Sequence, residues 1–558
     1  MAILNVPSTG ESGIKSDTLD PESGLATIHS IQQGQHCELV GTKRQIKSRH
    51  AQMLAIGGSI GTNLFIGTGQ ALAIGGPGLL LLAFCIMAFS VFGVVTAICE
   101  VGSYIPVSGN SMSSLCTRYV SRSLGFAMGW LYVYSFGMIV AYELTAIVII
   151  IDYWPNSVHP AVWVSAGFVF FLALNLCPVG LYGESEFWFA GIKVIMATGL
   201  MLLALVLMLG GGPPHERLGY RYWRDPGAVN SYIVKGAGGQ ITAFLYVWVF
   251  SGFSFFFAPE QLILTSGEMI HPRKNLPSAT QRFFFRLVFF YVLGAASIGV
   301  ICPSNAPGLT SGAGNANASP WVIAITSAQI DVLPSIINGG ILTAALSAGN
   351  AYLFMSARSL YSLAMIGDAP KIFTRCTSWG IPIYAVLACS CFGLFGFLVL
   401  DSEAGQVLNW LISITNTAGY TSWIACCVIY IRFHMACPRQ DIKLPYRSIV
   451  QPYAAWICLS VFSFLLLANG FTVFYPGRFT VSGFLAAYVG IPIFLFLWLG
   501  HRFTAGRSHP WWREIGDIDL ITGVAEVEAE AKMWDALEKR RERVAAKKWL
   551  SKVRILWG

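Results

Sequence analysis

The chain has 558 residues, of which 55% are hydrophobic and only 11% are charged, against roughly 25% charged residues in an average soluble domain. This composition excludes a soluble globular protein and indicates a polytopic membrane protein in a lipid bilayer. The 13 cysteines show no paired spacing of a disulfide framework or a zinc site. The net charge of +8 comes from basic loops, so it indicates membrane topology and no nucleic-acid partner.

Residues 1–52 form a polar tail that ends in a basic cluster, and no cleavable signal peptide precedes the first apolar segment. Twelve apolar segments follow, and a single bilayer crossing takes about 20 residues. Spanning segments must be α-helices, because backbone polar groups find no water in the hydrocarbon core. We place the segments at 53–75, 79–102, 124–151, 161–178, 187–209, 239–265, 283–302, 334–363, 383–400, 407–431, 453–474 and 481–500.

The distribution of the 36 Lys and Arg residues predicts the orientation. With the N-terminus in the cytoplasm most of them lie inside, as the positive-inside rule requires. The tail after residue 500 is then cytoplasmic too, and its stretch 524–550 predicts a helix docked on the protein or the membrane surface. Basic residues on the outside would be Arg217, Arg221, Arg224, Lys235 and Arg478.

The first apolar segment reads MLAIGGSIGTNLFIGTGQALAIGGPG from Met53 to Gly78. Glycine costs a helix roughly 0.8–1 kcal/mol relative to alanine, so a simple membrane anchor would not need so many. Gly57 and Gly61 form a G-x-x-x-G pair that suits close helix contact. The alternative is a helix broken at mid-membrane whose backbone groups bind a ligand.

Segment six reads ITAFLYVWVFSGFSFFFAPEQLILTSGE, and we predict that Ser251-Gly252, Ser254 and Pro259 interrupt it. A proline within a span removes a backbone donor and clashes with the preceding turn. Segments one and six hold corresponding positions if segments 1–5 and 6–10 are two halves, the second inverted. Two interrupted helices at matched positions indicate a transporter's substrate site, which favours the broken-helix interpretation of segment one.

A series of motifs carries a family resemblance: RHAQMLAIGGSIGTNLFIGTG (49–69), SYIPVSGNS (103–111), LGFAMGWLYVYSFGMIVAYELTA (124–146), GESEFWFAGIKV (183–194), YRYWRDPGA (220–228), TSGEMIHPRKNLPSA (265–279), NAYLFMSARSLYSLAMIGDAPKIF (350–373) and GYTSWIACCVIYIRF (419–433). In this order and spacing, the chain resembles the fungal members of the amino acid permease family, a branch of the amino acid–polyamine–organocation superfamily. The resemblance implies proton-coupled import of amino acids across the plasma membrane. No ATP-binding loop or catalytic motif is present, so we expect no enzyme and no cofactor.

The resemblance also implies the fold class: an all-α polytopic membrane protein with twelve transmembrane helices, a leucine-transporter-type 5+5 inverted repeat and discontinuous helices 1 and 6. The transporter domain is then 53–500. It comprises repeat one at 53–209, repeat two at 239–431 and two extra helices at 453–500. The cytoplasmic tails are 1–52 and 501–558.

The two interruptions define the candidate substrate site. Near the positive end of a half-helix, backbone N–H groups would face the substrate carboxylate: those of Ser59, Ile60, Gly61, Thr62 and Asn63. Backbone carbonyls of segment six would face the ammonium: those of Ser251, Gly252, Phe253 and Ser254. Phe255, Phe257 and Ala258 would line the side-chain pocket, with Ser135 of segment three nearby. Ordinary packing is the alternative for the phenylalanines.

Two departures from the family pattern leave the identity of the substrate undecided. Gly61-Thr62-Asn63 stands where the family usually has Gly-Thr-Gly, and Phe257-Ala258-Pro259-Glu260 stands where it usually has Gln-Gly-Thr-Glu. Asn63 adds a polar side chain beside the carboxylate site, and Phe257 narrows or dehydrates the pocket. A nutrient sensor on the same fold, or a transporter of a polyamine or carnitine-like cation, are therefore alternative functions.

Charged residues within spans are costly and usually face partners or a water path. Glu143 lies on one face of segment three with Ser135 and Ile139. It is a candidate proton carrier, with a partnered structural carboxylate as the alternative. For Lys193 in segment five, the resemblance implies a place near segment one, where sodium-coupled relatives bind sodium, and its ammonium would replace that cation. The alternative is a lysine that snorkels to the cytoplasmic surface.

Four further polar residues receive weaker assignments. Glu260 follows the break of segment six and would brace it. Arg358, toward the inner end of segment eight, is expected to be structural. Thr415 and Thr417 of segment ten are secondary candidates for the pocket or a gate.

Overall fold

The structure is a computed structural model that describes residues 61–105, 112–257, 259–260, 272–310, 319–529, 531–537 and 539. Every regular element in these ranges is helical. The principal helices are α1 (Gly67–Tyr104), α2 (Met112–Tyr119), α3 (Arg122–Ile151), α4 (Pro160–Asn175), α5 (Val179–Leu209), α6 (Ala237–Phe255), α7 (Pro272–Leu287), α8 (Leu293–Ile301), α9 (Pro320–Ser327), α10 (Leu333–Met365), α11 (Ile383–Ser390), α12 (Ala404–Ala436), α13 (Tyr453–Ala468), α14 (Val481–Tyr488) and α15 (Gly490–Phe503). Shorter helical turns are Thr62–Leu64, Trp223–Gly227, Val288–Val292, Pro307–Thr310, Lys371–Thr374, Cys391–Leu400, Pro438–Gln440 and Phe471–Phe474.

Helices occur at the positions of the predicted apolar segments wherever the structure describes them. In the described ranges, six helices are long and apolar enough to cross a membrane, or seven if α14 and α15, bent by 45°, form one span. Two further apolar helices, α4 and α13, are shorter. The expectation of an all-helical polytopic membrane protein is confirmed for the described residues. The predicted tail 1–52 lies outside them.

A bend at Gly76 divides α1 into the end of segment one and the whole of segment two. Its 38 residues would form a rod of about 57 Å, nearly twice the hydrocarbon core. Gly76 has a φ of 76° and a ψ of 170°, which leaves the helix path. The loop before α6 satisfies the backbone groups at the bend: the carbonyl of Ala228 accepts from the N–H of Gly78 at 2.7 Å, and the carbonyl of Gly75 accepts from the N–H of Asn230 at 3.0 Å.

Helix α3 runs through the middle of the bundle, and 89% of its most apolar 18 residues are buried. It packs against α10 and α12. Glycines allow the close approach: a Cβ on Gly129 would lie 2.3 Å from the side chain of Leu363.

Helix α5 lies at the perimeter instead, and side chains such as Trp188 and Ile195 are 69% and 74% exposed. Apolar exposure on this scale fits contact with lipid.

A C-terminal strap, residues 513–522, lies against α2 and the end of α12. The N–H of Arg513 donates to the carbonyl of Val120 at 2.9 Å, and Arg118 pairs with Asp519 at 3.3 Å. Burial opposes the charge of Asp519, but the backbone N–H of Thr522 and the guanidinium of Arg118 favour it more, so the net pKa is lowered.

The tail helix starts at residue 524, as predicted, and the structure describes it at 524–529 and 531–537. Val527 is buried, so the helix begins docked on the protein. The predicted part from residue 540 onward lies outside the described residues.

We predict that Gly76→Val destabilises the protein by at least about 1–2 kcal/mol, because an L-residue resists the left-handed conformation. Its Cβ would also lie 2.9 Å from the carbonyl oxygen of Ala228, which is backbone and cannot move aside. The measurement is thermal denaturation in detergent. Gly191→Ala is the matched control, since its Cβ meets no atom within 4 Å. Equal melting temperatures for Gly76→Val and the unmodified protein would contradict the prediction.

Candidate functional site

The first described residues of segment one, 61–66, are not α-helical. Gly61 is extended, with φ −92° and ψ 173°, a single 3-10 turn covers Thr62–Leu64, and α1 starts only at Gly67. A Cβ on Gly61 would meet no atom within 4 Å, so open space lies beside this backbone. The hydroxyl of Tyr291 hydrogen-bonds the backbone of Gly61. The predicted site residues Ser59 and Ile60 lie outside the described residues.

Segment six is interrupted later than the sequence suggested. Helix α6 continues through Ser251, Gly252 and Ser254 to Phe255, so the prediction that these residues break it is wrong. The hydroxyl of Ser251 bonds a carbonyl of its own helix, and Gly252 allows a close approach of Tyr420. Small polar residues are thus accommodated within the helix, and the break follows it.

The break itself is at Phe256 and Phe257. Phe256 is extended at ψ 146°, and Phe257 has a φ of 63°, the left-handed region that costs a non-glycine residue about 1–2 kcal/mol. Pro259 follows two residues later and cannot continue a helix from the preceding turn. Ala258, a predicted pocket residue, lies outside the described residues. The last carbonyls of α6 therefore end beside the break without helical partners.

Asn63 connects the two interrupted segments directly. Its Nδ2 donates to the hydroxyl of Ser254 at 2.7 Å, although the residues are 191 positions apart. Its Oδ1 is buried without a hydrogen-bond partner. A Cβ on Gly67 would lie 1.7 Å from that oxygen, so glycine is required there for the observed position of Asn63. The residue that departs from the family pattern thus links segment one to segment six.

The two predicted pocket phenylalanines, Phe255 and Phe257, do not form one wall with each other, and Phe253 lies on the side of Phe257. Phe255 packs against Tyr291 and Phe84, with ring centroids at 4.6 and 5.9 Å. Phe257 meets Phe136 edge-on at 4.6 Å, and Phe253 meets Tyr142 at 4.8 Å. Phe253 and Phe257 therefore face α3, whereas Phe255 faces away from it. On α3 itself, Ser135 donates to the carbonyl of Leu131 in its own helix at 2.5 Å.

A network of buried polar and charged side chains begins at Thr62, whose hydroxyl donates to the carboxylate of Glu143. Lys193 is 1% exposed, so the alternative of a snorkelling lysine is wrong. Its ammonium interacts electrostatically with two carboxylates, those of Glu186 and Glu143. Segments three and five are therefore joined by charged groups in the interior, and the Thr62 hydroxyl joins segment one to them.

Glu186 is the member of this buried network that was not predicted from the sequence. It is 4% exposed and accepts from the hydroxyl of Ser347 at 2.9 Å and from Nδ2 of Asn350 at 2.8 Å. Asn350 Oδ1 accepts in turn from Nδ2 of Asn175 at 2.9 Å. The sequence does contain a signal for Glu186: it lies seven residues before Lys193, so the two side chains share one face of the helix.

The remaining polar candidates have separate roles. Glu260 accepts from the hydroxyls of Ser422 and Tyr132, which ties the far side of the break to α12 and α3. Thr417 donates to the carbonyl of Ala487 at 2.8 Å and so faces α14. Thr415 is buried with its hydroxyl unpartnered.

The described ranges contain no group of three or more His, Cys, Asp or Glu side chains that could hold a metal ion. The twelve cysteines in these ranges are free thiols.

We predict that Gly67→Ala destabilises the protein through Asn63, because the new methyl group displaces the amide from Ser254. Asn63→Ala should remove the same interaction. The double variant should then melt close to Asn63→Ala alone, since coupled neighbours are not additive. Thermal denaturation of the three variants measures the coupling. Additive losses would show that Gly67 and Asn63 act independently.

Comparison with known proteins identifies the family. Residues 50–514 match the amino acid permease family. The chain is 43% identical to the proline-specific permease of Emericella nidulans, over 89% of this chain and 91% of the relative. It is 44% identical to a probable proline-specific permease of Schizosaccharomyces pombe (86% and 88%) and 40% identical to the proline-specific permease of Saccharomyces cerevisiae (88% and 80%). The chain therefore belongs to the amino acid permease family, whose members are membrane transporters rather than enzymes.

Proposed function

We propose that this protein is a secondary active transporter that imports proline, or a similarly compact amino acid, together with protons across the plasma membrane. The observation that carries the proposal is the pair of interrupted segments linked by Asn63 and Ser254 beside the open space at Gly61. Three relatives that match most of this chain are named proline-specific or probable proline-specific permeases, which supports the choice of substrate.

The proposed architecture is the leucine-transporter-type arrangement of twelve transmembrane helices, with repeats at 53–209 and 239–431, extra helices at 453–500 and both tails in the cytoplasm. Helices at the predicted positions support it, as do the non-helical stretches of segments one and six. Basic residues concentrated in the proposed cytoplasmic loops and tails support the orientation.

In the proposed site, the substrate carboxylate meets the backbone N–H groups of Ser59, Ile60, Thr62 and Asn63, beside Gly61, whose backbone bonds Tyr291. The last carbonyls of α6, which have no helical partners, accept from the substrate ammonium. Proline has a secondary ammonium with only two N–H donors, so two acceptors satisfy it, and the unpartnered Oδ1 of Asn63 is a suitable one. Phe257 and Phe253 supply apolar surface for the ring, and Ser135 and Ala258 complete the proposed surroundings.

Proton coupling is assigned to Glu143 and Lys193. Protonation of Glu143 neutralises the carboxylate that accepts the hydrogen bond of the Thr62 hydroxyl. Thr62 is adjacent in the chain to Asn63, so the protonation state of Glu143 acts on the backbone that holds the substrate. Lys193 supplies a positive charge between the two carboxylates where no metal ion is needed.

We predict saturable uptake of radiolabelled proline into cells, increasing as the external pH falls and abolished by a protonophore. Competition with all amino acids, polyamines and carnitine measures specificity. Uptake that is unchanged by the protonophore would contradict the proposed proton coupling. A polyamine or carnitine that competes better than proline would replace the proposed substrate class.

We predict that Thr62→Val lowers uptake at least about tenfold, because Glu143 loses a hydrogen bond and a buried charged group without its partner costs about 1.5–3 kcal/mol. Thr62→Ser is the matched control, since it keeps the hydroxyl and should retain most uptake. Both variants are compared at equal surface expression, measured by fluorescence of a C-terminal fusion. Equal activity of the two variants would exclude a role for the Thr62 hydroxyl.

A further inference from the structure

Segment seven carries an apolar groove on its outer face that the proposed function does not use. The segment contains one π-helical turn, Val288–Val292, between α7 and α8. The groove is lined by residues between 285 and 296, and its volume is about 670 Å³, within the roughly 300–1,000 Å³ of typical ligand sites. Phe285, Phe289 and Leu293 line it at intervals of four residues, and all three side chains are exposed.

The inner face of the same turn is held in place by the candidate substrate site. Phe290 and Tyr291 are buried. The hydroxyl of Tyr291 bonds the backbone of Gly61, and its ring lies 4.6 Å from that of Phe255. The backbone that carries the groove is therefore fixed from inside, and a preformed site loses less free energy to ordering when it binds a ligand.

One end of the groove is positively charged. Among the described residues that line the groove, Arg286 alone has a polar side chain. It lies about 5 Å inside the predicted span 283–302, at the end proposed to be cytoplasmic. Arg282 is exposed one turn earlier on the same face, and the two guanidinium groups repel each other. The ion pairs between described residues include neither arginine, so this positive charge is not compensated within those residues.

The surrounding sequence increases this charge. Residues 272–292 contain four basic side chains and no aspartate or glutamate. A charged side chain at this depth is costly unless it meets a partner or water, and a guanidinium pairs with a phosphate through two parallel hydrogen bonds. An occupant that suits both parts of the groove has an apolar chain and an anionic head. Free phosphate offers only the second of these.

We propose that this groove binds an anionic phospholipid of the cytoplasmic leaflet. The phosphate pairs with Arg286 and is attracted by Arg282, and one acyl chain lies along Phe285, Phe289 and Leu293. Basic pockets on the cytoplasmic side of membrane helices recognise anionic headgroups in this way. The inference goes beyond the proposed function: it uses the proposed orientation to choose the leaflet, and it needs neither the substrate nor the proton coupling. The alternative is an arginine that snorkels to the headgroups and selects no lipid.

The test measures lipid binding as thermal stabilisation of the full chain in detergent. The probes are dioleoyl phosphatidylserine, dioleoyl phosphatidylcholine and inorganic phosphate, each added in increasing amounts. Phosphatidylserine should raise the melting temperature in a saturable manner, because a ligand that binds only the folded state stabilises it. Phosphatidylcholine should raise it less at every concentration, and inorganic phosphate should leave it unchanged.

Variants locate the site. Arg286→Gln should raise the phosphatidylserine concentration at half-maximal stabilisation at least about fivefold, the loss expected for one basic residue near an anionic lipid surface. Arg286→Lys keeps the charge and should bind this lipid more tightly than Arg286→Gln. Arg375→Gln is the matched control, because it removes the same charge from an exposed position on the proposed cytoplasmic side that does not line the groove. Melting curves without lipid show whether each variant is folded, and the comparison of the two lipids on the unmodified protein tests the proposal even if Arg286→Gln does not fold.

Three results would overturn the inference. Equal stabilisation by phosphatidylcholine and phosphatidylserine assigns Arg286 to snorkelling. Equal losses in Arg286→Gln and Arg375→Gln attribute the lipid preference to the overall positive charge of this side. Stabilisation by inorganic phosphate to the same extent identifies an anion site without a lipid. None of these measurements involves transport, so an absence of proline uptake would contradict the proposed function and leave the lipid site standing.

Discussion

The structure depends on one constraint: a backbone that is interrupted inside a membrane must find polar partners within the protein. An unsatisfied backbone group in hydrocarbon costs several kcal/mol, and this chain is not α-helical at residues 61–66 and again at Phe256–Phe257. Neighbouring helices supply the partners. Tyr291 bonds the backbone at Gly61, and the hydroxyl of Ser319 donates to the carbonyl of Phe65 at 2.8 Å. The interruptions are thus built features rather than local disorder.

The same requirement explains why charges lie so deep in the interior. A buried carboxylate or ammonium persists only when it is paired and hydrogen-bonded. Lys193 has two carboxylates, and each carboxylate has hydroxyl or amide donors of its own. Removing one member leaves the others uncompensated, so the stability of each charged group depends on the others.

Composition and periodicity predicted the helical elements well, because a bilayer admits few alternatives to apolar helices. The glycine content of segment one and the matched interruption of segment six predicted a break, and residues 61–66 are not α-helical. The position of the break in segment six was missed, since Ser251 and Gly252 are accommodated by contacts with α6 itself and with Tyr420. The Asn63–Ser254 bond could not be inferred, because it depends on how two distant segments face one another. Glu186 could have been found from its spacing to Lys193.

Two adjacent residues connect the ionic and substrate parts of the site. Thr62 bonds Glu143, and Asn63 bonds Ser254, so consecutive side chains of one 3-10 turn extend to different helices. Because both side chains start from the same three-residue turn, a shift of that backbone moves both of them. In the proposed mechanism, a substrate that displaces this backbone therefore also perturbs the hydrogen bond to Glu143, and a proton on Glu143 perturbs the proposed substrate site. By thermodynamic linkage the two effects must be equal in free energy, which is the minimal requirement for coupled transport.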